Sequence, residues 1–259
     1  MLTLFEHPLS PYAQKVKIAL REKGIEFQVQ LPDLMSGRDP ALLSANPRLE
    51  VPSLIDGDTK VFDSTIILEY LEDKWPTPAL LPTTPAERAR VRTLEELCDT
   101  YYEAINWGIA EVNVFGRADG ALAAIMNARA VEQIVGINGY LDRELGTDEY
   151  FNGGTFGWGD LSVLPPVALA ELNGNPPAAG TGLARWLERV RVRPSVADTL
   201  QEALASFEGF EALPELVRQG KFIREYRDHR LEWMLRTGGA EVVLDGMMKK
   251  NIRFSIELT

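Results

Sequence analysis

Ser10 stands directly before Pro11 and the amphipathic run YAQKVKIALREKG, so its hydroxyl sits where the unpaired backbone N–H groups of a helix begin. A serine followed by proline is a common helix start, the hydroxyl serving as cap and the proline fixing the first turn. The same hydroxyl could instead donate a hydrogen bond to an anion held at the positive end of the helix. Asp63-Ser64, directly before TIILEYLED, poses the same choice a second time, between a plain helix start and an anion site. Other chemistries find less support. No serine lies in a G-x-S-x-G elbow, one cysteine (Cys98) can form neither an intramolecular disulfide nor a cysteine cluster, and two isolated histidines add little metal-binding capacity.

The elements that must position these residues follow from patterning. LTLFE has strand character, and Tyr12, Val16, Ala19 and Leu20 keep helical spacing until Gly24, a C-terminal stop. EFQVQL alternates like a second strand, VPSLIDGDTKVF reads as two short strands around an Asp-Gly turn, and STIILEYLEDKW is apolar at helical spacing. Residues 1–75 therefore read β-α-β, an irregular stretch, then β-β-α. Residues 76–85, PTPALLPTTP, hold four prolines in ten positions, which neither continue a helix nor donate along a strand, and read as a linker. Strand signals nearly vanish over 86–259. Val91, Leu94, Cys98, Tyr101 and Ile105 recur at spacings of three and four, as one buried helical stripe requires, and further helices are predicted at 121–145, 159–172, 181–191 and 195–206. The fold class expected is an α/β domain followed by an all-α domain, with a tail over 212–250 whose packing the pattern does not place.

With 45% hydrophobic residues, the 259-residue chain can fill two modest cores without disulfides. Its formal net charge of -11 comes with no basic stripe, so no nucleic-acid partner is expected. MLTLFEHP lacks the basic start and apolar core of a signal peptide, and no apolar run approaches the ~20 residues of a membrane span. The expectation is a cytoplasmic protein with no membrane partner.

SPYAQKV at 10–16, NPRLEVPSL at 46–54, FDSTIILEYLED at 62–73 and YFNGGTFGWGDL at 150–161 resemble, in order and spacing, motifs of the glutathione transferases. The resemblance implies a thioredoxin-like first domain, a helical-bundle second domain, glutathione as cosubstrate, no metal, and a homodimer. In serine-type members, a serine at the position of Ser10 donates a hydrogen bond to the glutathione sulfur. A cysteine thiol with a pKa near ~8.5 is mostly protonated at neutral pH, so stabilising the thiolate makes the nucleophile. By the same resemblance, Pro52 matches a cis-proline that lets Val51 pair with the peptide backbone of glutathione. Ser64, expected as helix cap, matches the residue that binds the γ-glutamyl carboxylate, and Asp63 lies near its amino group.

Glu50 departs from the lysine or glutamine that relatives frequently carry before the valine-proline pair. An acid there should repel the glutathione carboxylates, and Arg48 or Arg38 is expected to restore the positive charge. Asp160 would be the third helical residue after a Gly157 cap and reads as structural.

Tyr12, with Tyr101, Tyr102 and Trp107 from the long first helix of the second domain and Trp233 from the tail, are candidates for an electrophile pocket. Each of these aromatics could equally be a core or dimer contact. The activity expected is attack of the glutathione thiolate on a small hydrophobic electrophile, by conjugation, dehalogenation or ether cleavage. A noncatalytic protein-interaction module of the same fold is the alternative. With no cysteine near position 10, mixed-disulfide chemistry is not expected.

Overall fold

The N-terminal alternation folds into a four-stranded sheet of order β2-β1-β3-β4, built from β1 (Leu2–Phe5), β2 (Phe27–Gln30), β3 (Ser53–Asp56) and β4 (Thr59–Phe62). The computed structural model that shows this describes residues 1–33, 39–208, 210–222 and 229–249. β1 runs parallel to β2 with Leu2 opposite Phe27, and antiparallel to β3 with Leu4 opposite Leu54. A parallel pair needs a crossover, and α1 (Pro11–Glu22) supplies it. β3 and β4 close as a hairpin whose turn uses Gly57 at φ +59°, a conformation that only glycine adopts without steric cost.

The stretch read as irregular between β2 and β3 contains a short helix, α2 (Pro40–Ala45). Asp39 caps it, its carboxylate accepting from Ala41 N at 2.7 Å and Leu42 N at 2.9 Å, with Pro40 in the first turn. Six residues are too few for apolar periodicity to show, and the cap followed by proline was the available signal. α3 (Ser64–Lys74) completes the first domain, and Leu4, Val16, Leu20, Leu54, Ile67 and Leu71 meet in its core.

The second domain is helical: α4 (Pro85–Leu97), α5 (Glu103–Asn113), α6 (Gly120–Leu145), α7 (Trp158–Leu172), α8 (Gly182–Arg191) and α9 (Pro194–Ala205), then α10 (Leu213–Arg218), α11 (His229–Arg236) and α12 (Ala240–Met248). A single π-type turn, Cys98–Tyr102, joins α4 to α5 into one long rod. That wider turn corrects the predicted stripe. A regular helix buries residues at alternating spacings of three and four, which selects Tyr101; the extra residue in the π turn moves the buried position to Tyr102 instead. Tyr102 is 0% exposed and its hydroxyl donates to Asn138 Oδ1 on α6 at 2.8 Å, so it belongs to the core rather than to an electrophile pocket. Tyr101 is half-buried against the same core.

Asp160 sits at the third position of α7 after the Gly157 cap and is fully buried. Its Oδ2 accepts from Gly157 N at 3.0 Å, while Oδ1 accepts from Phe151 N at 2.9 Å and from Trp186 Nε1 of α8 at 2.7 Å. One carboxylate thus joins a turn, a helix start and a neighbouring helix. Gly157 leaves no room for a capping side chain, because a Cβ there would lie 2.4 Å from Leu80 O and 2.0 Å from Asn152 Nδ2. Asp160 takes over the task from three residues further on. Among the described residues, no helix is long and apolar enough to cross a membrane.

Candidate active site

Between the two domains lies a cleft of about 1880 Å³, lined at one end by the tips of α1 and α3 and at the other by α5 and the tail. Ser10 is the N-cap of α1, extended at φ -72° and ψ 115°, with its Oγ accepting from Ala13 N at 3.3 Å. A hydroxyl that accepts still has one proton to donate. Among the described residues no acceptor takes the Ser10 proton, and the side chain lines the cleft. The hydroxyl can therefore cap the helix and still offer its proton to the cleft. The turn before it is stiffened by Ser10 N donating to His7 O at 2.8 Å and Leu9 N donating to His7 Nδ1 at 3.3 Å. His7 also lines the cleft, and burial pushes its imidazole pKa down, which keeps it neutral at this position.

At the second helix tip the cap is not the residue expected. Asp63, not Ser64, is the cap: its carboxylate accepts from Thr65 N at 3.1 Å and Ile66 N at 3.4 Å, and its carbonyl accepts from Ile67 N at 2.9 Å. Asp63 holds φ +73°, a region sparsely used by non-glycine residues and met most often where the surroundings hold it in place. Ser64 is the first helical residue, and its N–H and hydroxyl have no partner among the described residues. Both Asp63 and Ser64 line the cleft. The Val51–Pro52 peptide is cis, and both residues border the cleft between the two helix tips.

Arg48 and Glu50 form an ion pair at the same rim, Arg48 Nε to Glu50 Oε2 at 2.8 Å. Arg48 therefore cancels the acid that the sequence left unexplained. Arg38, the other candidate, lies outside the described residues.

Opposite the helix tips stands a row of acids that sequence reasoning missed. Glu95, Asp99 and Glu103 all line the cleft, four residues apart along the rod from α4 through the π turn to α5. In a regular helix a spacing of four overshoots each turn by about 40°. The wide π turn offsets that drift and keeps the three on one side. The buried Lys15 ammonium of α1 sits 2.5 Å from both Glu95 Oε1 and Asp99 Oδ2. Glu95 also accepts from Thr65 Oγ1 at 2.8 Å and from Trp158 Nε1 at 2.6 Å, so four elements share one carboxylate. Burial pushes Asp99 up to about 6 against the pull of Lys15, and burial together with Asp99 pushes Glu103 up to about 7. Tyr12 reaches across from α1, donating its hydroxyl to the Asp99 carbonyl at 2.8 Å. Burial and the facing acids push its phenol pKa up, so it remains a neutral hydroxyl.

The far wall is aromatic. Trp107 lines it, together with Phe115 and Phe222, which stack with ring centres 6.0 Å apart, and Phe207 and Phe210, which meet edge to face at 5.2 Å. From α11, Leu231 and Leu235 face the cleft at one helical turn's spacing, while Trp233 is on another face and 68% exposed, which removes it from the expected pocket. Tyr226 of the tail lies outside the described residues. Cys98 is buried and desolvation pushes its thiol pKa well up, so it is no nucleophile. Among the described residues no group of His, Cys, Asp and Glu is disposed to hold a metal ion.

A thioredoxin-like sheet, with two helix tips facing a helical domain across a largely apolar cleft, defines a class of two-domain proteins. Residues 4–79 match the glutathione S-transferase N-terminal domain and residues 118–189 its C-terminal domain. Glutathione S-transferase U28 of Arabidopsis thaliana is 33% identical over 207 residues, 75% of this chain and 86% of that protein. A stringent starvation protein A homolog of Coxiella burnetii is 37% identical over 94 residues, 36% of this chain and 44% of that one. A glutathione S-transferase of Methylobacterium radiotolerans, solved in complex with glutathione sulfonate, superposes with a TM-score of 0.65 at 30% identity, covering 76% of this chain and 93% of that one. The chain belongs to the glutathione S-transferase family.

Proposed function

We propose that this chain is a serine-type glutathione transferase that delivers the glutathione thiolate to a small hydrophobic electrophile. One observation carries the reading: the Ser10 hydroxyl lines the cleft with its proton unclaimed among the described residues, at the positive end of α1. Lowering a thiol pKa by about two units needs roughly 2.7 kcal/mol of preferential stabilisation of the anion. A charge-assisted hydrogen bond and a helix start can supply most of it. In this reading Val51 pairs with the peptide backbone of glutathione beside the cis-proline. The N–H and hydroxyl of Ser64 take its γ-glutamyl carboxylate, and Asp63 stands near its amino group. The aromatic far wall receives the electrophile, and aryl halides, organic halides and aryl ethers all fit attack by this nucleophile.

The chain is further proposed to act as a cytoplasmic homodimer in detoxification. Ile66 on α3 and Leu122, Ile125 and Val135 on α6 are exposed apolar residues, supporting a pairing of the first domain of one copy with the helical domain of the other.

A second reading, a noncatalytic transferase-like interaction module, is favoured by the Arg48–Glu50 pair, since Arg48 is already engaged by an acid at the rim where the glutathione carboxylates would sit. Retention on immobilised glutathione together with turnover of chlorodinitrobenzene supports the enzyme. A protein that neither binds glutathione nor turns over that probe is the noncatalytic module.

A further inference from the structure

The tail brings cations to the aromatic end of the cleft. Residues 218–259 carry nine Lys and Arg against six Asp and Glu, whereas residues 1–217 carry 18 against 32. Among the described residues, every carboxylate lining the cleft comes from the first domain or from the rod of α4 and α5, and the tail lines it with Lys221 and Arg236 beside Phe222, Leu231 and Leu235. Of the other cations lining the cleft, Arg48 is held by Glu50, and Arg92 by Glu69, with Arg92 Nε 2.8 Å from Glu69 Oε1. Lys221 and Arg236 have no side-chain hydrogen bond or ion pair among the described residues. The contrast holds within the tail too. Arg218 pairs with Glu215 at 2.7 Å and Lys249 with Asp245 at 2.8 Å, and neither of these two cations lines the cleft.

Contacts with the end of α5 seat the chain that carries Lys221. Phe222, the next residue, stacks on Phe115 with the rings 6° from parallel. Pro214 of α10 sits over Gly116, where an added Cβ would lie 3.1 Å from the Pro214 Cβ. Arg236 follows Leu235, which faces the cleft one turn after Leu231 on α11. A pocket for neutral electrophiles gains nothing from two unpaired cations beside an aromatic wall, because a neutral ring displaces the water that solvates them and offers no charge in return.

We infer that the electrophiles this cleft favours are aromatic acids, with Lys221 and Arg236 holding the acid group at the tail while the electrophilic carbon faces Ser10. The inference rests on the glutathione transferase reading of the cleft. A carboxylate suits both side chains, the guanidinium through two parallel N–H bonds and the ammonium as a point charge. Charge also sets the orientation. Turned the other way, the acid group would stand beside the glutathione thiolate and the acid wall, where Glu95 and Asp99 already share the single Lys15 ammonium. The ring of the substrate meets the aromatic wall of Trp107, Phe115 and Phe222. In a chain of net charge -11, the two tail cations are also what draws an anion to this end of the cleft.

The test pairs 4-chloro-3,5-dinitrobenzoate with its methyl ester, which share the ring, the leaving group and the reacting carbon and differ in the charge opposite it. With either probe the glutathione sulfur attacks the carbon bearing chlorine and the C–S bond forms. The C–Cl bond breaks with its electron pair leaving as chloride, and the carboxylate is unchanged. The kcat/KM of acid over ester, each divided by its uncatalysed rate with glutathione, should exceed one in the full chain. It should fall by about tenfold when Lys221→Gln and Arg236→Gln are combined, mostly through the KM of the acid, with the ester little changed. Raising the salt should shrink the acid preference of the unaltered protein and leave the double variant flat. Both side chains are exposed, so thermal melts of the two proteins should coincide, and Lys221→Arg, which keeps the charge, should keep the ratio. Equal losses on both probes, or a ratio that the double variant leaves unchanged, overturn the inference. A protein that turns over the ester as well as the acid or better overturns it while leaving the transferase reading intact; one that binds no glutathione and turns over neither probe overturns both.

Discussion

The Lys15 ammonium, on the helix capped by Ser10, lies 2.5 Å from the Glu95 carboxylate on the first helix of the second domain, and both groups are buried. The helix tip capped by Ser10 and the acid wall of the cleft are therefore clamped to each other across the domain boundary. Because Asp99 shares the same ammonium, removing it strands two acids together. Lys15→Met should cost about 3–5 kcal/mol in urea denaturation, the usual consequence of leaving buried charge unpaired. The loss should grow with pH. Asp99 already holds its proton to about 6, above an aspartate's ordinary value, and without Lys15 that pKa rises further. A group with a raised folded pKa contributes stability below its unfolded pKa and loses it as pH rises through the folded one. A pH-independent loss would show that Asp99 stays ionised without Lys15.

Ser10→Ala separates the two roles of the hydroxyl. If Ser10 stabilises the thiolate, the absorbance titration of enzyme-bound glutathione should move to higher pH, with turnover at neutral pH falling at least tenfold and binding largely kept by Val51, Asp63 and Ser64. As a cap alone, the loss would be roughly 1 kcal/mol of stability with superimposable titrations. Ser10→Thr keeps the donor and should retain part of the effect.

The Ser10 cap was legible because a serine before an apolar run, with proline following, is a local signal. So were the β-α-β order and the helices from α6 to α9, whose periodicity runs over two turns or more. What stayed hidden depends on geometry that the sequence does not spell out. Tyr101 and Tyr102 are both aromatic and adjacent, and only the π turn decides which of them is buried. Ser64 and Asp63 are both good caps, and the choice falls to Asp63 because the chain takes φ +73° there. The acids at 95, 99 and 103 do carry a signal, a spacing of four along a buried helix. Reading it as a cleft wall requires knowing that α1 brings Lys15 and Tyr12 to the same side.

Glu50→Gln tests the rim. Arg48 now pairs with Glu50 at 2.8 Å, a partly exposed contact of the kind that contributes up to about 1 kcal/mol. Removing the acid takes away a repulsion and turns Arg48 toward the glutathione carboxylates. The Kd for glutathione should fall about two- to fivefold by isothermal titration, more at low salt than at high. A weaker complex would mean that Glu50 orients Arg48 for the ligand, and that the pair is part of the site rather than an obstacle in it.

Asp160 provides the last test, because its three bonds are all accepted from donors with no solvent to replace it. Asp160→Ala should cost about 3–5 kcal/mol, since Phe151 N, Gly157 N and Trp186 Nε1 would be buried without acceptors. Asp160→Asn keeps one oxygen but turns an amide N–H toward a donor, so it should cost less while still disturbing the turn before α7. The pH dependence distinguishes the charge from the shape. Burial pushes Asp160 up to about 6 despite those donors, so the folded protein binds a proton more tightly than the unfolded chain does. Its contribution is fully present below about 4 and declines as pH rises through 6. In Asp160→Asn that decline should disappear, leaving a flatter stability profile between pH 4 and 6, with Trp186 fluorescence reporting the same transition. Glutathione turnover per folded molecule should stay near that of the unaltered protein. A selective loss of activity at unchanged stability would assign Asp160 to the chemistry instead of the fold.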